Sequence, residues 1–263
     1  MPATILTITS GKGGVGKTTT TANLAAALAL LGKRVVAIDT DIGLRNLDVL
    51  LGLENRIVYD LISVIEGQCS LRQALIKDKR LAALYLLPAS QTRDKSAISA
   101  QDMVRLCQEM RPDFDYVLID SPAGIEQGFH NALAPADDVI IVTTPDISAV
   151  QDADRVIGIV ETAKKPMPHL IINRLRINMV RRKDMMDAPD VLELLGIPLL
   201  GVIPEDESVI VSTNRGEPAV LAPKSVAGRA FLDTARRIMG EDVPYGTRAS
   251  SRSLWQRLLS LIR

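Results

Sequence analysis

Along most of the chain, short apolar runs rich in β-branched residues alternate with longer runs that are apolar on one face only. This is the pattern of strand and helix in turn that builds a mostly parallel sheet with helices on both faces. Strands are predicted at residues 4–9, 34–39, 84–87, 116–120, 138–143, 169–173 and 199–203. Three of them carry uninterrupted apolar stretches, Val117-Leu118-Ile119, Val139-Ile140-Ile141-Val142 and Leu170-Ile171-Ile172. Strands buried on both faces read this way. Helices are predicted at 18–31, 57–65, 100–110, 148–163, 191–195 and 226–239, four of them stopped by a nearby glycine (Gly32, Gly67, Gly196 and Gly240). The compositional break comes at 242–253, where Pro244, Gly246, Thr247, Ser250, Ser251 and Ser253 predict a flexible linker between a domain at 1–241 and a last short helix at 254–263.

With 263 residues, 47% apolar and 24% charged, the chain fits one globular α/β domain with an appendage and excludes disorder or a disulfide scaffold. Cys69 and Cys107 form no CxxC pair, and His130 and His169 are the only histidines, so a Cys/His zinc or iron–sulfur site within one subunit is not expected. Basic and acidic residues balance at 31 each, which gives no chain-wide electrostatic footprint for nucleic acid. That average hides an asymmetry: from Arg248 onward there are four arginines and no acid. No apolar run reaches the ~20 residues of a membrane span, and the opening residues lack the charged n-region of a signal peptide. The expectation is a protein inside the cell that meets any membrane from its cytoplasmic surface.

Directly after the first strand, Gly11-Lys12-Gly13-Gly14-Val15-Gly16-Lys17-Thr18 matches GxxxxGK[ST] in full, in the strand–loop–helix context the motif requires. Its glycines let backbone N–H groups wrap a polyphosphate, and the helix that follows adds its positive dipole end, so the run through Thr19 is the candidate cradle. Lys17 is expected on the β- and γ-phosphates and the Thr18 hydroxyl on Mg²⁺. With Lys17 in place, Lys12 has no evident task on its own phosphates, which suggests a charge offered to a neighbour's nucleotide. Two further strands end in acids, at Asp39-Thr40-Asp41 and at Asp120. Ligand crevices of open α/β sheets lie at the carboxyl ends of strands, so these should converge on the phosphates. Asp120 reads as the acid that holds Mg²⁺ through water. Of Asp39 and Asp41, one is expected near the metal or in a structural role and the other to orient the attacking water.

These motifs, with the runs 39–48, 87–95, 120–126 and 202–206, resemble the MinD cell-division ATPases of the deviant Walker A family from the first strand to the tail. The resemblance implies an ATPase that dimerises face to face around two ATP molecules, with Lys12 reaching the partner's nucleotide, Asp41 aiding water attack, and Asp120 near Mg²⁺ with Thr18 and Asp39. It places Asn173, Arg174, Pro204, Glu205 and Asp206 at the adenine. It also implies two protein partners, the division inhibitor MinC and the topological factor MinE, docking near Ser148, Asp152, Asp154 and Glu126. The run 173–180 is similar to that of the cyanobacterial and plastid branch, which leaves open whether MinE is the regulator. Independently, Asn173-Arg174-Leu175-Arg176 lacks the NKxD pattern of common GTPases, and this favours ATP.

On a helical wheel, Leu254, Trp255, Leu258, Leu259, Leu261 and Ile262 share one face while Gln256, Arg257, Ser260 and Arg263 share the other. Such a basic amphipathic helix is predicted to lie in an anionic membrane surface. The nearest alternative function is a ParA-like partitioning ATPase acting on DNA, which would need a basic DNA-binding face instead of a basic tail. An electron carrier with a bridging iron–sulfur cluster would need two cysteines near the site, and Cys69 and Cys107 fall on predicted helix-side positions.

Overall fold

The computed structural model describes residues 2–91 and 97–245. Among them, eight strands form one sheet: β1 (Thr4–Thr9), β2 (Val35–Asp39), β3 (Ile76–Lys77), β4 (Leu84–Leu87), β5 (Tyr116–Asp120), β6 (Asp138–Thr143), β7 (His169–Leu175) and β8 (Leu199–Pro204). Their order across the sheet is β3-β4-β2-β5-β1-β6-β7-β8. All neighbours run parallel except the two-residue β3, which pairs antiparallel with β4. The order reverses around β1, so the crevice beside the end of β1 is the place such a sheet offers a ligand.

Side chains alternate along each strand and divide the core into two layers. Leu6, Ile8, Ala37, Leu118, Ile140 and Val142 face one side, under α1 (Lys17–Leu30) and, near the far edge, α11 (Val226–Ile238). Ile5, Val36, Ile38, Val117 and Ile119 face the other, under α3 (Leu61–Ile65), α4 (Leu71–Ala74) and α5 (Ala100–Met110). That second layer continues over Val139, Ile141, Leu170 and Ile172 beneath α6 (Gln127–Leu133), α7 (Ile147–Thr162) and α9 (Ala188–Leu195). The run of alanines in α1 is buried all round, and small side chains let this helix lie close to both the sheet and α11. Three short helices, α2 (Leu47–Leu50), α8 (Ile177–Arg181) and α10 (Glu207–Asn214), sit on loops at the carboxyl ends of the strands.

Helix starts are set by caps that periodicity alone places poorly. The helix predicted at 57–65 begins only at Leu61, because Asp60 and Ser63 form a reciprocal capping box and fix the entry there. The one predicted at 191–195 begins earlier, at Ala188, under an Asp187–Asp190 box; Pro189 lies in the first turn, where its missing N–H removes no bond. The strand predicted to end at Asn173 continues to Leu175 through an irregularity at Arg174, whose φ of 57° is left-handed. Residues 242–245, expected to be linker, are held on the domain. Arg237 donates to the carbonyls of Leu200, Val243 and Pro244 and lies 4.1 Å over the Tyr245 ring, whose hydroxyl donates to Leu199 O. The remaining linker positions and the amphipathic helix at 254–263 lie outside the described residues.

Gly228, in the first turns of α11, leaves no room for a side chain: a Cβ there would lie 2.3 Å from the carbonyl oxygen of Ala219. Gly228→Ala is expected to lower stability by about 1–3 kcal/mol through this overpacking, read as a fall in the urea midpoint with an unchanged slope.

Candidate nucleotide site

At the end of β1 the chain turns through Ser10–Gly16 into α1. Gly14 and Gly16 take φ values of 82° and 93°, which side chains disfavour. Most other helices here start under a Ser or Asp side chain, but α1 starts from Gly16 with no side-chain cap. Its first N–H groups are therefore turned into the loop without a protein partner of that kind, the arrangement that binds phosphate. The loop is braced from outside. Gly11 lies against the backbone of Asp152 in α7, where a Cβ would come within 2.1 Å of its carbonyl oxygen. Asn173 donates its amide to Val15 O at 2.8 Å, across the face of Gly16.

Lys17 is buried, and its ammonium donates to Asp120 Oδ1 at 2.8 Å and to Thr18 Oγ1 at 3.3 Å. Asp120 Oδ1 also accepts from the Thr21 hydroxyl at 2.9 Å, whereas Oδ2 is buried with no hydrogen-bond partner. An orphaned carboxylate oxygen beside a threonine hydroxyl at a phosphate loop fits a hydrated Mg²⁺, which keeps several waters and takes few protein ligands. No cluster of three or more His, Cys, Asp or Glu that could cage a metal occurs among the described residues. Thr19, half-buried at the start of α1, faces the neighbouring cleft.

Asp39 pairs in register with Asp120 across β2 and β5. Burial first, and the Asp120 charge second, push its carboxyl up to about 7, against the backbone donors that favour its ionised form. Those donors are Asp41 N on Oδ1 and Asn46 N and Leu47 N on Oδ2. Both oxygens of Asp39 are thus engaged in shaping the loop that carries Asp41. The pair that the sequence leaves undivided is divided by this geometry into a buried holder, Asp39, and a half-buried loop residue, Asp41.

The other expected residues fall into two groups. Asn173, Arg174, Pro204, Glu205 and Asp206 line one cleft of ≈ 220 Å³ with Gly16, Thr19 and Phe231. Within it, the Asp206 carboxylate is occupied: Ser208 N, Ser225 Oγ and Ala227 N all donate to it, so it caps both α10 and α11. Lys12 is exposed, and its ammonium lies 2.6 Å from Ser148 Oγ and 3.7 Å from the α7 cap Asp146. Asp152 pairs with Arg155 at 3.2 Å and Asp154 is exposed, both on α7. Glu126 is exposed at the N-cap of α6. Beside Ser148 a larger cleft of ≈ 1160 Å³ opens between α7, α8 and α9, with Ile147, Met179, Met185 and Met186 in its walls. Two contacts escape sequence reasoning, Lys12 to Ser148 and Thr21 to Asp120. Thr21 had a signal, since it stands four residues after Lys17 and so on the same helix face.

The CobQ/CobB/MinD/ParA nucleotide-binding domain matches residues 6–219. The septum site-determining protein MinD of Synechocystis is 57% identical over 242 residues, covering 92% of this chain and 91% of its own length. Among solved structures, MinD in the MinC:MinD cell-division complex of Aquifex aeolicus superposes with a TM-score of 0.87 at 48% identity, covering 93% of this chain and 99% of that one. MinD of Pyrococcus horikoshii complexed with Mg-ADP superposes at 0.82 with 30% identity, over 92% and 100% of the two chains.

The double cap gives Asp206 a measurable acid signature. Burial raises its pKa, but the donors from Ala227, Ser208 and Ser225 outweigh this and hold it at about 2. A carboxyl held below its ordinary value of ~3.9 adds stability above that value and loses it as the pH falls. Asp206→Ala should therefore lower stability at neutral pH by about 1–2 kcal/mol, and the gap from the parent, followed by urea unfolding, should narrow between pH ~4 and about 2.

Proposed function

The chain belongs to the MinD family of septum site-determining proteins, and from that premise we propose that it is an ATP-driven membrane switch that places the division site. It is an ATPase that uses ATP and Mg²⁺ and serves cell division. The observation that carries the switch reading is the pair of lysines in one phosphate loop: Lys17 buried on Asp120, and Lys12 exposed and held outside the loop by Ser148.

In this reading Lys17 exchanges Asp120 for the β- and γ-phosphates, and Thr18 and Asp120 hold Mg²⁺, directly and through water. The metal neutralises charge on the phosphoryl group being transferred. Asp41 orients the attacking water from a loop fixed by Asp39. The cleft formed by Asn173, Arg174 and the 204–206 loop takes the adenine. Lys12 reaches the nucleotide of a second copy, so forming the dimer breaks its bond to Ser148 at the start of α7. A MinC-like inhibitor and a MinE-like activator then dock on α7, around Ser148, Asp152 and Asp154, with Glu126 contributing from α6. The basic amphipathic run 254–263 supplies the membrane contact. One such helix binds weakly, because ordering its backbone costs on the order of 1 kcal/mol per residue. Two in one dimer bind with an avidity raised ~10²-fold or more.

Lys17→Ala is expected to abolish ATP binding, measured by equilibrium dialysis. Lys12→Ala should keep ATP but neither dimerise nor hydrolyse it, and wild-type turnover by Lys12→Ala would remove the trans role. Asp41→Ala should bind ATP and accumulate as a dimer in sizing chromatography. Deleting residues 254–263 should leave ATP binding intact and abolish sedimentation with anionic liposomes in ATP, and Leu258→Glu should largely reproduce the deletion. Equal sedimentation of the full chain in ADP and ATP would sink nucleotide control of the membrane contact.

A further inference from the structure

Asp120 needs its side chain aimed if one oxygen is to reach a metal-bound water. The backbone at this position is fixed by Thr40, which donates both N–H and hydroxyl to Asp120 O, at 3.1 and 2.7 Å. The carboxylate itself has two partners, Lys17 Nζ at 2.8 Å and Thr21 Oγ1 at 2.9 Å, and both lie on Oδ1. Oδ2 stays buried and unpartnered. The Thr21 hydroxyl also lies 3.1 Å from Lys17 O in the preceding helical turn, but it has one proton. An ionised carboxylate only accepts and makes the stronger bond, so that proton belongs to Asp120.

On the reading that Lys17 turns to the phosphates when nucleotide binds, the two restraints on Oδ1 become one. We propose that Thr21 is the positioning residue of the Mg²⁺ site: its fully buried hydroxyl keeps Asp120 Oδ1 pinned after Lys17 leaves, so that Oδ2 continues to face the hydrated metal. Without that hydroxyl the buried carboxylate is left with a charged oxygen unsatisfied whenever Lys17 is on the phosphates. It then turns away from the metal. Thr21 touches neither nucleotide nor metal, and it acts through Asp120.

The test uses the full chain with fluorescent ADP, comparing the parent with Thr21→Val, which keeps the shape and loses the hydroxyl, and with Thr21→Ser, which keeps the hydroxyl. ADP affinity in EDTA is expected to differ from the parent by less than about twofold in both variants. The Mg²⁺ concentration that half-restores tight binding is expected to rise about tenfold in Thr21→Val, the equivalent of ~1.4 kcal/mol, and to return to within about twofold of the parent in Thr21→Ser. Should Thr21→Val fold poorly, Thr21→Ser against Thr21→Ala asks the same question, since those two differ by one hydroxyl. An unchanged Mg²⁺ midpoint overturns the proposal, as does an equal loss of affinity with and without Mg²⁺, which makes Thr21 a packing residue only. A parent chain whose ADP binding ignores Mg²⁺ overturns instead the metal site on which the proposal rests.

Discussion

The ion pair between Lys17 and Asp120 is the constraint around which the site is arranged. Both groups are nearly inaccessible, at 7% and 1% exposure, and they meet at 2.8 Å. Taking one partner from a buried pair leaves an uncompensated charge at a penalty of ~3–5 kcal/mol, whereas exchanging it for another charge of the same sign does not. Only a ligand that brings negative charge to Lys17 and positive charge to Asp120 can therefore open the pair at low cost. A magnesium-bound polyphosphate has both. The specificity of the site for its ligand thus lies partly in what the protein closes when that ligand is absent.

Everything that must move is tied to that pair by one or two bonds. Asp39 stands beside Asp120 and holds the loop carrying Asp41 through three backbone amides, so a charge change at Asp120 bears on that loop. Asn173 ties the phosphate loop to the left-handed kink at Arg174. Such a kink stores ~1–3 kcal/mol of strain and persists only where its surroundings hold it. Gly11 ties the same loop to α7 by close backbone approach. The phosphate loop, the cleft beside Asn173 and Arg174, and the α7 surface therefore share one short segment, and displacement of that segment reaches all three.

Much of this was legible in the sequence, for a physical reason. Strand cores such as Val139–Val142 are apolar without interruption because both faces are covered. In the phosphate loop, Gly14 and Gly16 are called for by left-handed backbone and Gly11 by a close approach to α7, while Lys17 is called for by its charge. Two kinds of contact stayed illegible. The late start of α3 is set locally, by an Asp60–Ser63 capping box that overrides the apolar periodicity, whereas the occupied carboxylate of Asp206 depends on Ser225 and Ala227, about twenty positions away. The resemblance placed Asp206 at the adenine; in the structure it lines the cleft with Asn173 and Arg174, and its carboxylate is taken up as a cap. The contact of Lys12 with Ser148 spans 136 positions, and no local pattern reports such a meeting.

One small feature at the opposite end of the sheet sets a mechanical limit. Because Arg237 and Tyr245 hold residues 243–245 against the first residues of β8, the chain is pinned at the lower corner of an edge strand, away from the phosphate loop. Eight residues separate Tyr245 from Leu254, and at ~3.5 Å per residue even a fully extended chain covers roughly 30 Å over them. Leu254 is therefore confined to that radius about the start of β8, whatever path the intervening residues take.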